Sequence, residues 1–501
     1  MDYKKLQNGS DIRGVAMEGV EGQSVNLTHE AVKNIGAAFV LYLKERLKKD
    51  RLRLSVGRDS RLSGEEMLLA IREGVTSMGA DLTDFGLAST PSMFMSTVEK
   101  GYEFDGAMML TASHLPWNRN GVKFFVREGG LEKQDIAKIL SLAETGPKAS
   151  GEAGAFSTLD YLSVYAAGLC DYVRRSVNAA DYAHPLSGFH IVVDAGNGAG
   201  GFYATKVLLP LGADISGSQF LEPDGHFPNH APNPEDQKAM DAMADCVLRS
   251  KADFGLIFDT DVDRAGAVSS DGTELNRNRL IALISAVVLE EHPGTTIVTD
   301  SITSTGLAAF IAEKGGVHHR FKRGYRNVIN ESIRLNMAGQ DSRLAIETSG
   351  HGALMENYFL DDGAYLVTKL VVKMAQLKKE NKLLLSLIDT LKEPAESTEV
   401  RMALPAEGFA DYAKDVLEKL TAYAKAQGWR LADPNYEGVR VEFPKGEGDG
   451  WFLLRMSLHD PLMPLNIESD SKGGVRVIAE KLMAFLAPFD KLDISGLKKL
   501  A

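Results

Sequence analysis

The stretch VKNIGAAFVLYLKERLKKDRLRLSVG, residues 32–57, contains the two patterns that decide the fold class. Apolar side chains recur at helical spacing after a capping threonine at Thr28, and the final run LRLSVG predicts a strand. Another helical stretch from about Gly64 to Met78 leads to a strand near Leu82, and AMML before Thr111 predicts a third strand. This alternation of helices and strands predicts α/β layers.

The same alternation starts again twice along the chain of 501 residues, which is long enough for roughly three or four domains. The Gly-rich segment 144–157 predicts a linker, and new α/β units open near HIVVDAGNGAG (190–200) and TTIVTDSITSTG (295–306). From about residue 393 the rhythm changes, and residues 450–469 predict two strands around a long loop, followed by a helix. We therefore expect three similar α/β units and a different C-terminal domain.

The composition excludes several classes of protein. A net charge of −12 argues against broad nucleic-acid binding, which needs a basic surface. The longest apolar run, LIALISAVVL (280–289), is far shorter than the ~20 residues of a membrane span, so it predicts a buried helix. The N-terminus lacks an apolar signal region, and Cys170 and Cys246 are too few for a disulfide framework. We predict a cytoplasmic protein with no nucleic-acid or membrane partner.

The segment DTDVDR (259–264) follows the apolar run FGLIF and supplies three carboxylates, from Asp259, Asp261 and Asp263. They can converge on Mg²⁺ while a phosphate adds oxygen ligands, and a cation would offset their mutual repulsion. The segment is not an EF-hand, because Arg264 and Ser270 occupy the positions of the glycine and the final glutamate. The alternative is a solvated acidic turn.

A glycine-rich segment, GNGAGG (196–201), matches the dinucleotide-binding pattern G-x-G-x-x-G after the strand IVVD. Any tight turn between a strand and a helix also favours glycine, so the pattern alone leaves both interpretations open.

Two later segments carry polar groups suited to a sugar phosphate. In ETSGH (347–351), a carboxylate and a hydroxyl can bind pairs of sugar hydroxyls, although a capped loop explains them too. In RMSLHDP (455–461), Arg455, Ser457 and His459 alternate, so they share one side of an extended segment, where the guanidinium can bind a phosphate. An exposed polar face of a strand is the alternative.

The segment TASHLPWNRNGVK (111–123) places Ser113 beside His114, in a loop with no G-x-S-x-G elbow. Adjacency in sequence does not ensure that the imidazole reaches the hydroxyl. By itself the segment fits an ordinary loop serine as well as a catalytic one.

Together, and in this order, these segments resemble those of the α-D-phosphohexomutase superfamily. TASHLP resembles its phosphoserine loop T-A-S-H-N-P, DTDVDR its metal loop D-G-D-G-D-R, ETSGH its sugar loop G-E-x-S-G-H, and RMSLHDP its phosphate loop R-x-S-N-T-E-P. Further matches are SDIRG (10–14), VGRDSRLSG (56–64) and PDGHFPNHAPNPE (223–235). The resemblance spans essentially the whole chain.

The resemblance implies an α/β fold with three similar α/β domains that contain mixed sheets, plus a smaller α+β C-terminal domain, around a central cleft. The expected domains are 1–155 with the phosphoserine loop, 156–277 with the metal loop, 278–392 with the sugar loop, and 393–501 with the phosphate-binding loop. We expect a monomer or a homodimer.

The resemblance also implies a reaction. A phosphorylated Ser113 would donate its phosphoryl group to a hexose phosphate, and the hexose 1,6-bisphosphate intermediate, also an activator, would return the other phosphate. Mg²⁺ would be held by Ser113, Asp259, Asp261 and Asp263. The other expected catalytic residues are Arg13, His114, Lys123 as general acid/base, and Arg264. The expected substrate-binding residues are Gly324, Tyr325, Arg326, Glu347, Ser349, His351, Arg455, Ser457 and His459.

Several residues depart from the superfamily pattern. Thr260 and Val262 replace glycines of the metal loop, Leu115 replaces an asparagine, and residues 458–460 of the phosphate loop differ. The leading hypothesis is a phosphohexomutase of the mannose/glucose type. The alternatives are a phosphoglucosamine mutase, a haloacid-dehalogenase-type phosphatase and a sugar-phosphate-binding pseudoenzyme. The phosphatase would use Asp259 as nucleophile, because Asp259 and Asp261 match the two aspartates of the signature D-x-D-x-V.

Overall fold

The computed structural model describes residues 2–149, 151–457 and 460–501. The chain forms two compact units, residues 1–280 with 349–386, and residues 281–348 with 387–501. The sheets confirm the predicted α/β fold with mixed sheets and a distinct, β-rich C-terminal region. The division into four domains at residues 155, 277 and 392 stays a prediction.

The first unit contains two mixed sheets and one hairpin. Its strands are Gln7–Asn8, Asp11–Val15, Arg53–Arg58, Asp81–Leu87, Gly106–Leu110, Arg119–Val126, Gly129–Gly130, Phe156–Thr158, Ile191–Asp194, Phe254–Phe258, Ala265–Ser269, Glu274–Leu275, Gly352–Leu354 and Leu360–Asp361. Its helices and short helical turns are Tyr3–Leu6, His29–Leu47, Gly64–Ser77, Thr90–Val98, Lys133–Glu144, Tyr161–Val177, Tyr203–Leu208, Leu209–Leu211, Gln237–Ser250, Met355–Asn357 and Gly363–Lys379.

The first helix and its sheet confirm the opening prediction. Thr28 is the N-cap of helix His29–Leu47, because its Oγ1 accepts a hydrogen bond from Ala31 N at 3.3 Å. This bond satisfies one of the N–H groups that have no partner within the first turn of a helix. Strand Arg53–Arg58 lies parallel to Asp81–Leu87 and to Gly106–Leu110. The predicted linker 144–157 ends differently from expectation, because Phe156–Thr158 pairs with Asp81–Leu87 as one more parallel strand.

Each of the two candidate loops of this unit connects a pair of neighbouring antiparallel strands. Arg119–Val126 runs antiparallel to Gly106–Leu110, so the serine segment connects two paired strands. In the second sheet Phe254–Phe258 is parallel to Ile191–Asp194 and antiparallel to Ala265–Ser269. DTDVDR is the turn of this last hairpin.

The second unit contains a parallel sheet and an antiparallel one. Its strands are Thr296–Thr299, Val317–Arg320, Ser342–Ile346, Glu396–Ala403, Arg430–Leu431, Val439–Phe443, Gly450–Leu454 and Leu462–Ser469. Its helices are Thr305–Glu313, Tyr325–Met337, Phe409–Ala426, Gly474–Leu486 and Ser495–Lys498. Two of the three boundaries between the units fall within helix Arg277–Glu291 and the turn Leu384–Ile388.

The C-terminal sheet confirms the two strands and the helical end expected there. Gly450–Leu454 pairs antiparallel with Leu462–Ser469, and Gly474–Leu486 follows as a helix whose apolar face is buried. The run 280–289 is helical and buried, as predicted. Among the described residues, no helix combines the length and apolar character needed to cross a membrane.

Candidate functional site

Three buried carboxylates meet in the hairpin turn after strand Phe254–Phe258. Asp259 and Asp261 are 0% exposed and Asp263 is 1% exposed. One oxygen of each lies within 4.8 Å of the others. Oδ1 of Asp261 and Oδ1 of Asp263 have no hydrogen-bond partner among the described residues. A set of hard oxygen donors with unused lone pairs fits a divalent cation such as Mg²⁺.

The surroundings of this turn shift the pKa values of Asp259 and Asp263 in opposite directions. Burial, and then the charges of Asp263 and Asp261, raise the pKa of Asp259 well above its usual value. Burial opposes ionisation of Asp263 too, but the positive charges of Lys123, His351 and Arg264 outweigh it and lower the pKa of Asp263. Lys123 Nζ donates to Asp261 Oδ2 at 3.0 Å and also to Asp263 Oδ2. The predicted acid/base residue therefore touches the predicted metal loop.

Ser113 lies at the same place. It adopts a left-handed conformation, φ 51°, and is 1% exposed. Thr111 Oγ1 accepts a hydrogen bond from Ser113 N at 2.9 Å, which holds the turn. Ser113 Oγ donates to Asp259 Oδ2 at 3.0 Å and accepts from a terminal nitrogen of Arg264 at 3.1 Å. The serine and metal segments, 146 residues apart, are thus in direct contact.

His114 and Arg13 complete the basic side of the site. A terminal nitrogen of Arg264 also hydrogen-bonds His114 Nδ1, which lies 3.3 Å from Ser113 Oγ. Burial, followed by the charges of Arg264 and Arg13, lowers the pKa of His114 far below its usual value, so its imidazole is neutral. Arg13, on strand Asp11–Val15, donates to Asp11 Oδ2 at 3.0 Å.

His351 also lies beside the metal loop, because residues 349–386 belong to the same unit as that loop. Its Nδ1 is 4.0 Å from Asp263 Oδ1 and contacts Asp361 Oδ2 more closely. Burial lowers the pKa of His351, and the charges of Asp361 and Asp263 raise it above its usual value overall. Ser349 is buried in the same unit, 6% exposed.

Sequence reasoning missed two residues of this site. Asp361 faces His351, and Thr90 donates from its hydroxyl to Asp261 Oδ2 and from its N–H to the carbonyl of Asp261 at 2.8 Å. Thr90 opens the helix Thr90–Val98 with a proline after it, a start signal visible in the sequence but silent about its distant partner.

The glycine-rich segment 196–201 supports the metal loop by close packing. A Cβ on Gly198 would lie 2.7 Å from the backbone of Thr260, and one on Gly201 would lie 2.3 Å from the carbonyl oxygen of Leu221. Ala199 N also donates to the carbonyl of Thr260 at 2.8 Å. Backbone packing therefore accounts for these glycines without a dinucleotide.

The remaining predicted residues belong to the second unit. Glu347 Oε1 accepts a hydrogen bond from Gly324 N at 2.6 Å, which joins the sugar segment to the start of helix Tyr325–Met337. Gly324 has φ 115°, a conformation that favours glycine, and Tyr325 and Arg326 follow as the first helical residues.

The phosphate segment follows strand Gly450–Leu454. Arg455 is 7% exposed, and burial lowers its pKa. Arg455 N donates to the carbonyl of Pro464 at 3.1 Å, and Ser457 N donates to that of Leu462 at 3.0 Å, so the strand pairing extends into the segment. His459 lies outside the described residues.

Comparison with known proteins finds family models and relatives that match most of the chain. Three family models match in order, described as phosphoglucomutase/phosphomannomutase α/β/α domain I at residues 4–150, domain II at 170–272 and domain III at 276–391. A phosphoglucomutase of Neisseria gonorrhoeae is 30% identical over 479 residues, 95% of either chain. A phosphomannomutase/phosphoglucomutase of Pseudomonas aeruginosa is 30% identical over 464 residues, 92% of either chain.

A solved structure agrees with these sequence matches. The crystal structure of a phosphoglucomutase/phosphomannomutase family protein from Burkholderia thailandensis superposes with a TM-score of 0.77 at 28% identity, over 95% of this chain and 96% of the other.

Proposed function

Because the chain belongs to the phosphoglucomutase/phosphomannomutase family, we propose that it interconverts hexose 1-phosphate and hexose 6-phosphate through a phosphorylated Ser113. The observation that carries the proposal is the position of Ser113 Oγ, 3.0 Å from Asp259 Oδ2 and 3.1 Å from the guanidinium of Arg264. A serine hydroxyl between a carboxylate cluster and a guanidinium suits a phosphate carrier, because its phosphate meets both a cation site and a cationic side chain.

In the proposed reaction the sugar hydroxyl attacks the phosphorus of phosphoserine, the bond from phosphorus to Ser113 Oγ breaks, and the proton of the sugar hydroxyl ends on Ser113 Oγ. Lys123 would act as general acid/base between these two oxygens: its ammonium protonates Ser113 Oγ as the bond breaks, and the resulting amine takes the proton of the sugar hydroxyl. The guanidiniums of Arg264 and Arg13 stabilise charge on the phosphoryl oxygens, and neutral His114 donates or accepts a hydrogen bond beside them. Mg²⁺, held by Asp259, Asp261, Asp263 and the phosphate, would neutralise charge on those oxygens.

We assign substrate recognition to the other segments. Glu347, Ser349 and His351 would bind sugar hydroxyls. The substrate would also contact Gly324, Tyr325 and Arg326, around the start of helix Tyr325–Met337. Arg455, Ser457 and His459 would hold the phosphate that is not transferred. For the product to differ from the substrate, the hexose 1,6-bisphosphate must reverse its orientation in the site between the two transfers.

Two measurements test the proposal. Mass spectrometry of protein incubated with glucose 1,6-bisphosphate and Mg²⁺ should find an acid-stable phosphate on Ser113. A coupled assay with glucose 1-phosphate and mannose 1-phosphate should show turnover that Ser113→Ala abolishes, while circular dichroism shows that the variant keeps its fold. Absence of turnover across hexose and hexosamine phosphates, with Ser113 phosphorylated, would favour the sugar-phosphate-binding pseudoenzyme.

The same measurements separate the remaining alternatives. Preferred turnover of glucosamine 1-phosphate would indicate a phosphoglucosamine mutase. An acid-labile phosphate on Asp259, with release of inorganic phosphate, would indicate the haloacid-dehalogenase-type phosphatase.

A further inference from the structure

One guanidinium holds the backbone of the serine loop. The two terminal nitrogens of Arg61 donate to four carbonyl oxygens of this loop: those of Pro116 at 2.8 Å, Arg119 at 2.9 Å, Leu115 at 2.6 Å, and Ser113 itself. Only arginine offers five donors in a fixed plane, so no other side chain could satisfy these four acceptors together. The carbonyl of the proposed phosphate-carrying residue is one of them.

Asp59 fixes the orientation of this guanidinium. Asp59 Oδ2 lies 3.3 Å from Arg61 Nε, and Asp59 Oδ1 accepts a hydrogen bond from Arg61 N at 2.9 Å. Asp59 N in turn donates to the carbonyl of Leu110, the last residue of the strand that leads into the serine loop. Asp59 and Arg61 therefore bond both ends of the serine loop, Leu110 before it and Arg119 after it.

Arg61 is also closed off from solvent and hence from substrate. Its side chain and that of Asp59 are both 0% exposed. The ring of Phe227 lies 5.2 Å from the guanidinium carbon. A Cβ on Gly225 would lie 2.5 Å from the carbonyl oxygen of Ser60, so the loop around residue 225 packs directly on this segment. Arg61 can act on the reaction only through the loop that it holds.

We propose that Arg61 is a positioning residue for phosphoryl transfer, which keeps the Ser113 loop in the geometry that sets Ser113 Oγ beside Asp259 and Arg264. This inference rests on the proposed function, since it assigns Arg61 a role at the same site. A left-handed, non-glycine residue costs on the order of 1–2 kcal/mol, and the bonds to Arg61 offset that cost at φ 51°. A displacement of about 1 Å at a reacting group can reduce a rate by on the order of 100-fold.

The test compares Arg61→Lys and Arg61→Met with a matched control, Arg58→Met. Arg58 lies three residues earlier, and its guanidinium hydrogen-bonds Asp84 and Glu65. For each variant, circular dichroism gives the folded fraction, and the coupled assay gives kcat and KM for glucose 1-phosphate. Rapid-quench measurement with labelled glucose 1,6-bisphosphate gives the rate at which Ser113 is phosphorylated. Arg61→Lys keeps the buried charge, which protects the fold if Arg61→Met does not fold.

We expect Arg61→Lys to lower kcat and the phosphorylation rate about 30- to 100-fold per folded molecule, with KM changed less than about threefold, and Arg58→Met to resemble the wild type. A kcat for Arg61→Lys within threefold of wild type, once corrected for folded protein, would overturn the inference and leave the mutase proposal standing. Wild-type protein that never phosphorylates Ser113 would overturn both.

Discussion

The ammonium of Lys123 is bound to two carboxylates of the metal loop, 3.0 Å from Asp261 Oδ2 and in hydrogen-bond contact with Asp263 Oδ2. Lys123 is only 6% exposed, so its charge and theirs are removed from water together. Without a bound cation, this lysine offsets much of the repulsion among the three carboxylates. A divalent cation at the same oxygens would share that task, so metal binding and the charge of Lys123 should be thermodynamically coupled.

We predict that Lys123→Met lowers the free energy of unfolding in EDTA by about 3–5 kcal/mol, because buried carboxylates lose their partner. Added Mg²⁺ should then raise the melting temperature of the variant more than that of the wild type. Lys138→Met removes an exposed lysine paired with Glu45 and should change neither value appreciably. Equal responses of Lys123→Met and wild type to Mg²⁺ would contradict the coupling.

Thr90 orients a carboxylate of the proposed metal site, because its hydroxyl donates to Asp261 Oδ2. We predict that Thr90→Val weakens the binding of Mn²⁺, used as a spectroscopic substitute for Mg²⁺, about 10-fold in an electron paramagnetic resonance titration. Thr97→Val is the matched control, since Thr97 lies on the same helix and its hydroxyl donates to the carbonyl of Phe94. If both variants bind Mn²⁺ like the wild type, Asp261 does not depend on Thr90 for its orientation.

The sequence predicted the parts of this fold and site that depend on neighbours in the chain. The cap at Thr28 and the strand before DTDVDR follow from local patterns, and the three carboxylates were found because they alternate in one short segment. Strand Phe156–Thr158 was missed, because three residues with two exposed side chains show no strand pattern.

Two of the residues that escaped sequence reasoning, Thr90 and Arg61, act across long separations. Thr90 bonds a residue 171 positions away, and Arg61 bonds the carbonyl of Ser113 from 52 positions away. Their local sequence indicates only a helix start and a polar turn. The contact of Arg61 follows from the pairing of Arg53–Arg58 with Gly106–Leu110 in one sheet, whereas that of Thr90 joins segments next to two different sheets. No periodicity within any of these segments encodes such partners.

The start of helix Gly363–Lys379 packs against the backbone of the metal loop. A Cβ on Gly363 would lie 2.6 Å from the carbonyl carbon of Arg264 and 3.0 Å from the carbonyl oxygen of Val262. We predict that Gly363→Ala lowers the free energy of unfolding by about 1–3 kcal/mol and lowers kcat, because the loop must shift. Gly168→Ala, at an exposed helical position with no atom within 4 Å of the new Cβ, should instead stabilise the protein by about 0.5–1 kcal/mol. Urea unfolding of the two variants checks both signs, and a neutral Gly363→Ala would show that the loop tolerates the displacement.

Glu468 should make the stability of the second unit depend on pH. Burial raises the pKa of Glu468 to about 7 from an ordinary 4.5, although the charge of Arg440 and a hydrogen bond from Trp451 Nε1 oppose the shift. Between these two pH values the folded protein binds the proton more tightly than the unfolded chain, so the free energy of unfolding falls as the pH rises, by at most ~3 kcal/mol.

In Glu468→Gln the amide stays neutral and its oxygen can still accept the bond from Trp451. We therefore predict that the stability of Glu468→Gln relative to wild type increases between pH 4.5 and 7 and is constant above, measured by urea unfolding followed through tryptophan fluorescence. A difference that does not change with pH would mean that Glu468 ionises in the folded protein as readily as in the unfolded chain.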